Sequence, residues 1–403
     1  MTNLRISVGD FRLSPEEKAA VLEVLDSNRI TEGTKVAQFE NQFSRYIGVE
    51  NTVLVNSGTS ALITGLNALS YTNAEIKPAT RVITTPLTYI ATTNAITLSG
   101  FKPVFIDVNP ITFNITSETI KVHLENVDDT SAYSMVLPVH LMGYPVDMDE
   151  IKNIAEKYGL TMFEDSAQAH GSLYKGKRCG SMSIASAFSF YIAHNIQVGE
   201  MGALVTRNKE IAAFARRFKA NGRLCDCKVC TRAKGYCPRL KENESLDPRF
   251  YHLHIGYNFK TTDLVAVIGL EQLKHAEEIK EKRYRNVEYL SDRLAFLEDK
   301  IQLPLLSKDV SYLAYPLVVK DSKLPREKVT RQLENRGIET RPLFSCIPLQ
   351  QPAYSNYRTE YIGKLPNAEY IGYNGFYIGC HQYLEEEELD YVVNTFKNIY
   401  EEL

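Results

Sequence analysis

NTVLVNSGTSALITGLNALS, residues 51–70, decides the fold. TVLV is a short apolar run with β-branched residues and reads as a strand. SALITGLNAL carries its apolar residues at helical spacing. Between the two stands Asn56-Ser57-Gly58-Thr59. Backbone N–H groups left free at a helix start, together with the helix dipole, favour an anion there, and Gly58 lets it approach. Taken alone, the same four residues read equally well as an ordinary β-to-α turn.

Outward from this unit the pattern recurs. VITT runs into Pro86, then Thr88-Tyr89, then a helix. FKPVFIDVN reads as a strand ending in Asp107, and 114–125 as an amphipathic helix. SMVLPVHLMG is a buried strand, and MDEIKNIAEKYG a helix closed by Gly159. LTMFEDSAQAHGS is a strand running into Glu164-Asp165, with Gln168 and His170 beyond. Strand and helix alternate over roughly 50–200, which predicts an α/β unit with a mostly parallel sheet and helices on both faces. Ligands of such sheets bind at the carboxyl ends of the strands.

The stretch AFSFYIAHNIQVGEMGA, 187–203, reads as a strand, a polar turn and a second turn into the strand ALVT. Its turn presents His194. Imidazole titrates near neutrality and suits proton transfer, although a lone turn histidine is more often just a hydrogen-bonded surface residue. Gly58, Thr59, Tyr89, Asp165 and His194 all fall at or just past strand ends, in position to share one cleft.

The flanks complete the organisation. Residues 14–27 form a helix with Ser14 as N-cap and Glu17 at the capping-box position, and a second helix closes at Gly48. A helix spans 209–219. A long helical pattern begins at 261, with Gly269 as its candidate kink, and leads into a strand–helix–strand region with a final helix. The expected division is a large domain over 1–260, carrying a cysteine loop at 222–240, and a bridging helix with a small α+β domain over 261–403.

The chain has 403 residues, 44% hydrophobic and 24% charged, enough for a sizeable core. A net charge of −3 leaves no polycationic footprint, so nucleic acid is not an expected partner. The start of the chain has no apolar signal region, and no run nears the ~18 apolar residues of a spanning helix. A cytoplasmic protein without membrane contact is expected. Of seven cysteines, Cys179, Cys346 and Cys380 are scattered and expected to be buried free thiols. Cys225, Cys227, Cys230 and Cys237 crowd RLCDCKVCTRAKGYC with spacing C-x-C-x2-C-x6-C. Disulfides are rare in the cytosol, so a crowded set points to metal or redox chemistry. Thiolates suit an iron–sulfur centre or zinc, and four free thiols are the third reading.

Five segments carry a resemblance in a specific order. They are SGTSA (57–61), TPLTYIATTNAI (85–96), FEDSAQAHGS (163–172), FSFYIAHNIQVGEMGALVT (188–206) and GYNFKTTDLVAVIGLEQL (256–273). On them the chain resembles the sugar-aminotransferase branch of the fold-type-I pyridoxal-phosphate enzymes, the DegT/DnrJ/EryC1/StrS family. The resemblance implies that Gly58 and Thr59 hold the cofactor phosphate with Ser189 beside them. Tyr89 would stack on the pyridine ring, and Gln168 would lie by its phenolic oxygen. Asp165 would pair with the ring nitrogen and keep it protonated, which makes the ring an electron sink. Asn258 would reach a phosphate of the partner subunit, which implies a homodimer.

One position departs from the family. Most members carry, five residues after Ser189, the lysine that tethers the cofactor covalently; here that residue is His194. Imidazole cannot form the tether but can move a proton, so His194 is the expected catalytic base. Histidine at this place is similar to the pyridoxamine-phosphate-dependent nucleotide-sugar 3-dehydratases. One kind acts on GDP-4-keto-6-deoxymannose without a cluster. The other acts on a CDP-4-keto-6-deoxyhexose with an iron–sulfur centre, which the cysteine loop and Lys260 resemble more. The resemblance therefore implies C3 dehydration and deoxygenation of a nucleotide-linked 4-keto-6-deoxyhexose. Cys225, Cys227, Cys230 and Cys237 would hold a 2Fe–2S or 4Fe–4S cluster fed by a separate reductase. Ser166-Ala167, beside Asp165, lacks the thiol that the reductive kind carries there. Other readings are a cluster-free 3-dehydratase whose amine is restored by glutamate, and an aminotransferase-like protein with a structural metal. A non-catalytic relative without cofactor is the reading of another class.

Overall fold

Apolar strands of four or five residues bury both faces here, as parallel sheets require. The computed structural model describes residues 5–231, 237, 247, 248 and 250–401. The strands of the main sheet are β1 (Asn51–Val55), β2 (Arg81–Thr84), β3 (Lys102–Phe105), β4 (Tyr133–Leu137) and β5 (Thr161–Asp165). After a two-residue pair, β6 (Leu173–Tyr174) and β7 (Lys177–Arg178), come β8 (Ala185–Ser189) and β9 (Gly202–Thr206). The spatial order is β1-β9-β8-β5-β4-β2-β3. Neighbours from β8 across to β3 pair in parallel, and β9 alone runs against its two neighbours. The expected α/β class with a mostly parallel sheet is what the chain adopts.

The reversal of β9 matters for the site. Gly202 pairs with both Ser189 and Val55, so the first residue of β9 lies beside the last residues of β8 and β1. One sheet edge thus carries the carboxyl ends of the parallel strands and the amino end of β9.

Helices cover the sheet. They are α1 (Pro15–Asp26), α2 (Thr34–Ile47), α3 (Gly58–Thr72), α4 (Ala91–Leu98), α5 (Ser117–Glu125), α6 (Met148–Lys157), α7 (Lys209–Phe218), α8 (Asp263–Lys274) and α9 (Ala276–Leu294). Ser14 caps α1 with the reciprocal Glu17 contact, and Gly48 ends α2 at φ 86°, a left-handed conformation that suits glycine.

The bridging pattern differs from its expected form. It is two helices, broken at His275 (φ −102°, ψ 8°) and not kinked at Gly269. Gly269 serves packing: a Cβ there would stand 2.6 Å from the Phe39 ring, so its absence lets α8 lie close on α2. The strand FKPVFIDVN also ends sooner, at Phe105. Asp107 instead accepts the amides of Asn367 (3.0 Å) and Ala368 (2.9 Å), capping the helix Pro366–Asn374.

A second, antiparallel sheet has the order β10-β11-β13-β12, formed by β10 (Ile301–Gln302), β11 (Tyr315–Val319), β12 (Arg341–Pro342) and β13 (Gly375–Ile378). Its apolar side packs with the helix Glu386–Glu401 and α9 into a core continuous with that of the main sheet. Among the described residues no helix is long and apolar enough to cross a membrane.

Candidate active site

The main sheet's carboxyl edge and the second sheet enclose a cavity of about 650 Å³. Its lining brings together Gly58, Thr59, Tyr89, Asp165, Gln168, Ser189 and His194, seven of the eight non-cysteine site residues expected from sequence. Asn258 is not among them: it is exposed and bridged to Ala220.

The turn after β1 is built for close approach. Ser57 caps α3 by accepting the Ser60 amide, and Asn56 accepts the Ser60 hydroxyl. The amides of Gly58 and Thr59, in the first turn of a 15-residue helix, have no acceptor among the described residues. They face a cavity at the positive end of the helix dipole, where an anion is favoured. Gly58 is required by space: a Cβ there would stand 2.5 Å from the Ser189 Cβ. Gly202 supports the same turn from the other side, since a Cβ on it would stand 2.1 Å from the Ser57 carbonyl. Gly202 is a packing position beside the site that sequence reading missed; the GEMG turn in which it stands was its signal.

Strand alternation separates the two acids at the end of β5. Glu164 turns away from the cavity. It bonds His140 (2.9 Å) and accepts from the amides of Gly180, Met182 and Ser183. Burial would neutralise both members; the His140 contact and these amides outweigh it for Glu164, whose carboxyl is lowered. For His140, Nδ1 accepts the Val146 amide at 3.1 Å, so the hydrogen is on Nε2 and is donated to Glu164 by a neutral imidazole. This is a structural pair.

Asp165 turns inward. It accepts the Thr92 hydroxyl (2.7 Å) and the Ala167 amide (3.1 Å). Thr92 has one hydroxyl hydrogen and gives it to Asp165, so Thr88, 3.0 Å away, donates to Thr92. Burial still raises the Asp165 carboxyl, more than these two donors lower it. A cation placed against it would be strongly favoured. Thr92, from the first turn of α4, was missed by sequence reading and has no pattern of its own there.

Gln168 is fixed in orientation, because its Oε1 accepts the Met142 amide at 2.9 Å. Its amide nitrogen is left as a donor toward the cavity. Tyr89 is 62% exposed at the mouth, its ring 6.2 Å from that of Phe344.

His194 is buried at the cavity wall, and its Nδ1 lies 2.8 Å from the Ser189 carbonyl. A carbonyl only accepts, so Nδ1 carries the hydrogen and Nε2 keeps the basic lone pair. Burial lowers the imidazole to about 4, against the opposing pull of the Ser189 carbonyl. It is therefore neutral at pH 7 and able to accept a proton. No lysine lines the cavity among the described residues. His170 does not line it either; it is packed among Phe43, Phe188 and Phe190, its ring 6.1 Å from that of His194.

These features fit a phosphorylated aminopyridine. Free amides suit its phosphate, a buried carboxylate its ring nitrogen, an amide donor its ring oxygen, and a proton acceptor the carbon beside its ring. The expected cluster does not find the same fit. Cys225 is half-buried and its thiol donates to the Pro248 carbonyl (3.3 Å), whereas Cys227 and Cys230 are exposed. Among the described residues, which include Cys237, no three Cys, His, Asp or Glu side chains form a group able to hold a metal. Cys179, Cys346 and Cys380 are buried free thiols, as expected.

Comparison with known proteins agrees with this geometry. Residues 12–397 match the model of the DegT/DnrJ/EryC1/StrS aminotransferase family. The chain is 31% identical to the lipopolysaccharide biosynthesis protein RfbH of Salmonella typhimurium, over 96% of this chain and 90% of that one. PseC of Helicobacter pylori, an aminotransferase of pseudoaminic acid biosynthesis, superposes with a TM-score of 0.85 at 25% identity, covering 99% and 100% of the two chains. GDP-4-keto-6-deoxy-D-mannose-3-dehydratase of E. coli with bound hydrated PLP superposes with a TM-score of 0.84 at 25% identity, covering 98% and 99%. The architecture is that of the fold-type-I pyridoxal-phosphate enzymes.

Proposed function

The chain belongs to the DegT/DnrJ/EryC1/StrS aminotransferase family, and from that premise we propose that it is a pyridoxamine-phosphate-dependent 3-dehydratase of a nucleotide-linked 4-keto-6-deoxyhexose. The observation that carries this reading is His194. It stands where the family's tethering lysine would be, and no lysine lines the cavity among the described residues. A chain without the tether keeps its cofactor by contacts alone. The site offers them: two helix-start amides, Asp165, Gln168 and the Tyr89 ring.

When bound, the aminopyridine supplies an electron sink that lets a carbon–hydrogen bond ionise and a neighbouring hydroxyl leave as water. The residues of the chain perform the rest. Asp165 would hold a proton on the ring nitrogen by charge. Gly58, Thr59 and Ser189 would seat the phosphate and so fix the ring's place. His194 would take the proton at Nε2 and, once cationic, could serve as the acid for the leaving hydroxyl. Its Nδ1 bond to Ser189 holds the ring's orientation through both transfers.

The cluster-free course, in which glutamate restores the amine, is the better supported. The solved 3-dehydratase superposes over nearly all of the chain, and the described cysteines form no metal group. The reductive course, with an iron–sulfur cluster and a reductase, rests on the C-x-C-x2-C-x6-C spacing and on Lys260, both features of the sequence. Anaerobic purification with iron and labile-sulfide analysis separates the two. Turnover that needs only glutamate, with neither element present, supports the first. Stoichiometric iron and sulfide overturn it. Transfer of an amino group to the sugar, with the C3 hydroxyl retained, would overturn the dehydratase reading itself.

A further inference from the structure

We propose that Arg283 and Asn195 are positioning residues for His194, acting through the buried segment 311–313 behind the cavity wall. The inference deepens the proposed function and rests on its use of His194 as the base. His194 sits in a turn, and turns are the more mobile parts of a fold unless something braces them. Its ring is tied through Nδ1 to Ser189, so the place of Nε2 depends on what holds the turn. Asn195, the next residue, is 2% exposed and supplies a brace. Its Nδ2 donates to the Ser311 carbonyl (3.1 Å) and to the Ser311 hydroxyl. A carbonyl only accepts, so this amide has one orientation.

Arg283, in α9, holds the same segment and is 1% exposed. Its Nη1 donates to the carbonyls of Tyr312 (3.3 Å) and Leu313 (2.8 Å), and its Nε to Gln382 Oε1 (3.1 Å). Among the described residues no carboxylate pairs with it; the groups that act on it are the Cys380 thiol and Tyr383. A buried cation without a counter-charge is expensive, and an apolar side chain of like size would fill the space without that cost. What the charge adds is direction. Bonds from a charged donor are about twice as strong as neutral ones, and here two go to consecutive carbonyls of one segment. That segment touches the supports of two site residues. Ser311 holds Asn195, and its own amide donates to Ser172 Oγ (2.9 Å). Leu313 lines the cavity and donates its amide to the carbonyl of Met142 (3.2 Å), whose own amide orients Gln168. The guanidinium also acts by its charge. Burial is the chief cause of the low His194 pKa, the Ser189 carbonyl opposes it, and Arg283 adds to the lowering. The other titratable or charged groups around His194 are His170 and Tyr191, with ring centroids 6.1 and 6.0 Å away, and Asp165, Glu200 and Arg341 in the same cavity lining.

The test uses the full chain loaded with cofactor and compares wild type, Asn195→Ala, Arg283→Lys and Arg283→Met. Two readouts are taken: steady-state dehydration, and the imidazole nitrogen NMR signals of His194, identified by their absence in His194→Gln. Asn195→Ala and Arg283→Met should each lower kcat by about tenfold or more, the scale of a misplaced catalytic group, with KM within about threefold of wild type. The wild-type signals should show one tautomer, protonated at Nδ1, and in both variants the tautomers should mix. Arg283→Met should also raise the pH at which His194 titrates. Arg283→Lys, which keeps the charge but not the planar fork, should leave that pH in place and recover part of kcat, a separation that a merely structural arginine would not show. Should Arg283→Met not fold, Asn195→Ala decides. A kcat within about threefold of wild type in the variants that fold, a single tautomer retained in them, mixed tautomers in wild type, or a kcat loss matched by lost cofactor each overturn the positioning role. A wild type whose single tautomer is lost in the variants, yet which does not dehydrate, leaves the positioning standing and removes the dehydratase reading.

Discussion

The Nδ1 atom of His194 lies 2.8 Å from the carbonyl oxygen of Ser189, five residues earlier in the chain. That bond fixes the tautomer. It leaves Nε2 as the basic atom, and it ties the base to the same strand end that meets Gly58. The imidazole and the start of α3 are therefore linked through Ser189.

His194→Gln keeps polar bulk but cannot accept a proton. Dehydration should fall by about 10²–10⁴-fold, the usual contribution of a positioned acid or base. The absorbance of bound cofactor should persist. Single-turnover measurement checks this, and a rate within about tenfold of wild type would show that the proton goes elsewhere.

His194 also sets a pH dependence. Its folded value of about 4 lies below the ordinary 6.5. As pH falls, the unfolded chain takes the proton first. Stability from this group is full above about 6.5 and is lost as pH drops toward 4, by about 3 kcal/mol in total. His381, lowered to about 4 chiefly by burial, acts in the same sense. Urea titrations of cofactor-free protein between pH 6.5 and 4.5 measure the slope. His194→Asn should flatten it by up to ~1.4 kcal/mol per pH unit; equal slopes would mean the imidazole is not held neutral.

Gly202→Ala would drive a methyl to within 2.1 Å of the Ser57 carbonyl. The turn before α3 must shift, and overpacking of this kind costs about 1–3 kcal/mol. Cofactor affinity should drop by at least about tenfold, because the phosphate seat moves. Equilibrium dialysis reads the affinity and thermal unfolding the stability. Unchanged affinity would dissociate Gly202 from the seat.

His140→Ala leaves Glu164 buried without its partner, and neither side chain is exposed. Breaking a buried pair from one side costs about 3–5 kcal/mol. Denaturant unfolding should show a loss of that order, and activity below the melting temperature should fall as Asp165, one residue on, loses its support. A loss below about 1 kcal/mol would mean that the amides of Gly180, Met182 and Ser183 suffice to hold Glu164.

Local chemistry was legible wherever neighbours in sequence are neighbours in space. The capping box at Ser14 and Glu17, the turn at Gly58, the end of β5 at Asp165 and the polar turn at His194 all follow from periodicity and capping, which are properties of short segments. Gly269 misled because a mid-helix glycine reads as a weak point; only the position of Phe39, brought by α2, shows that it is a contact. Thr92 was not legible. Nothing in ATTN distinguishes it until α4 is set around the cleft.

By itself the sequence determined the α/β alternation, the family and the presence of a histidine, His194, in the polar turn after FSF, because each is written in consecutive residues. Tertiary structure decided which nitrogen of His194 keeps its lone pair and which of Glu164 and Asp165 faces the cavity. Those depend on partners and burial, which distant segments supply only once the sheets have closed.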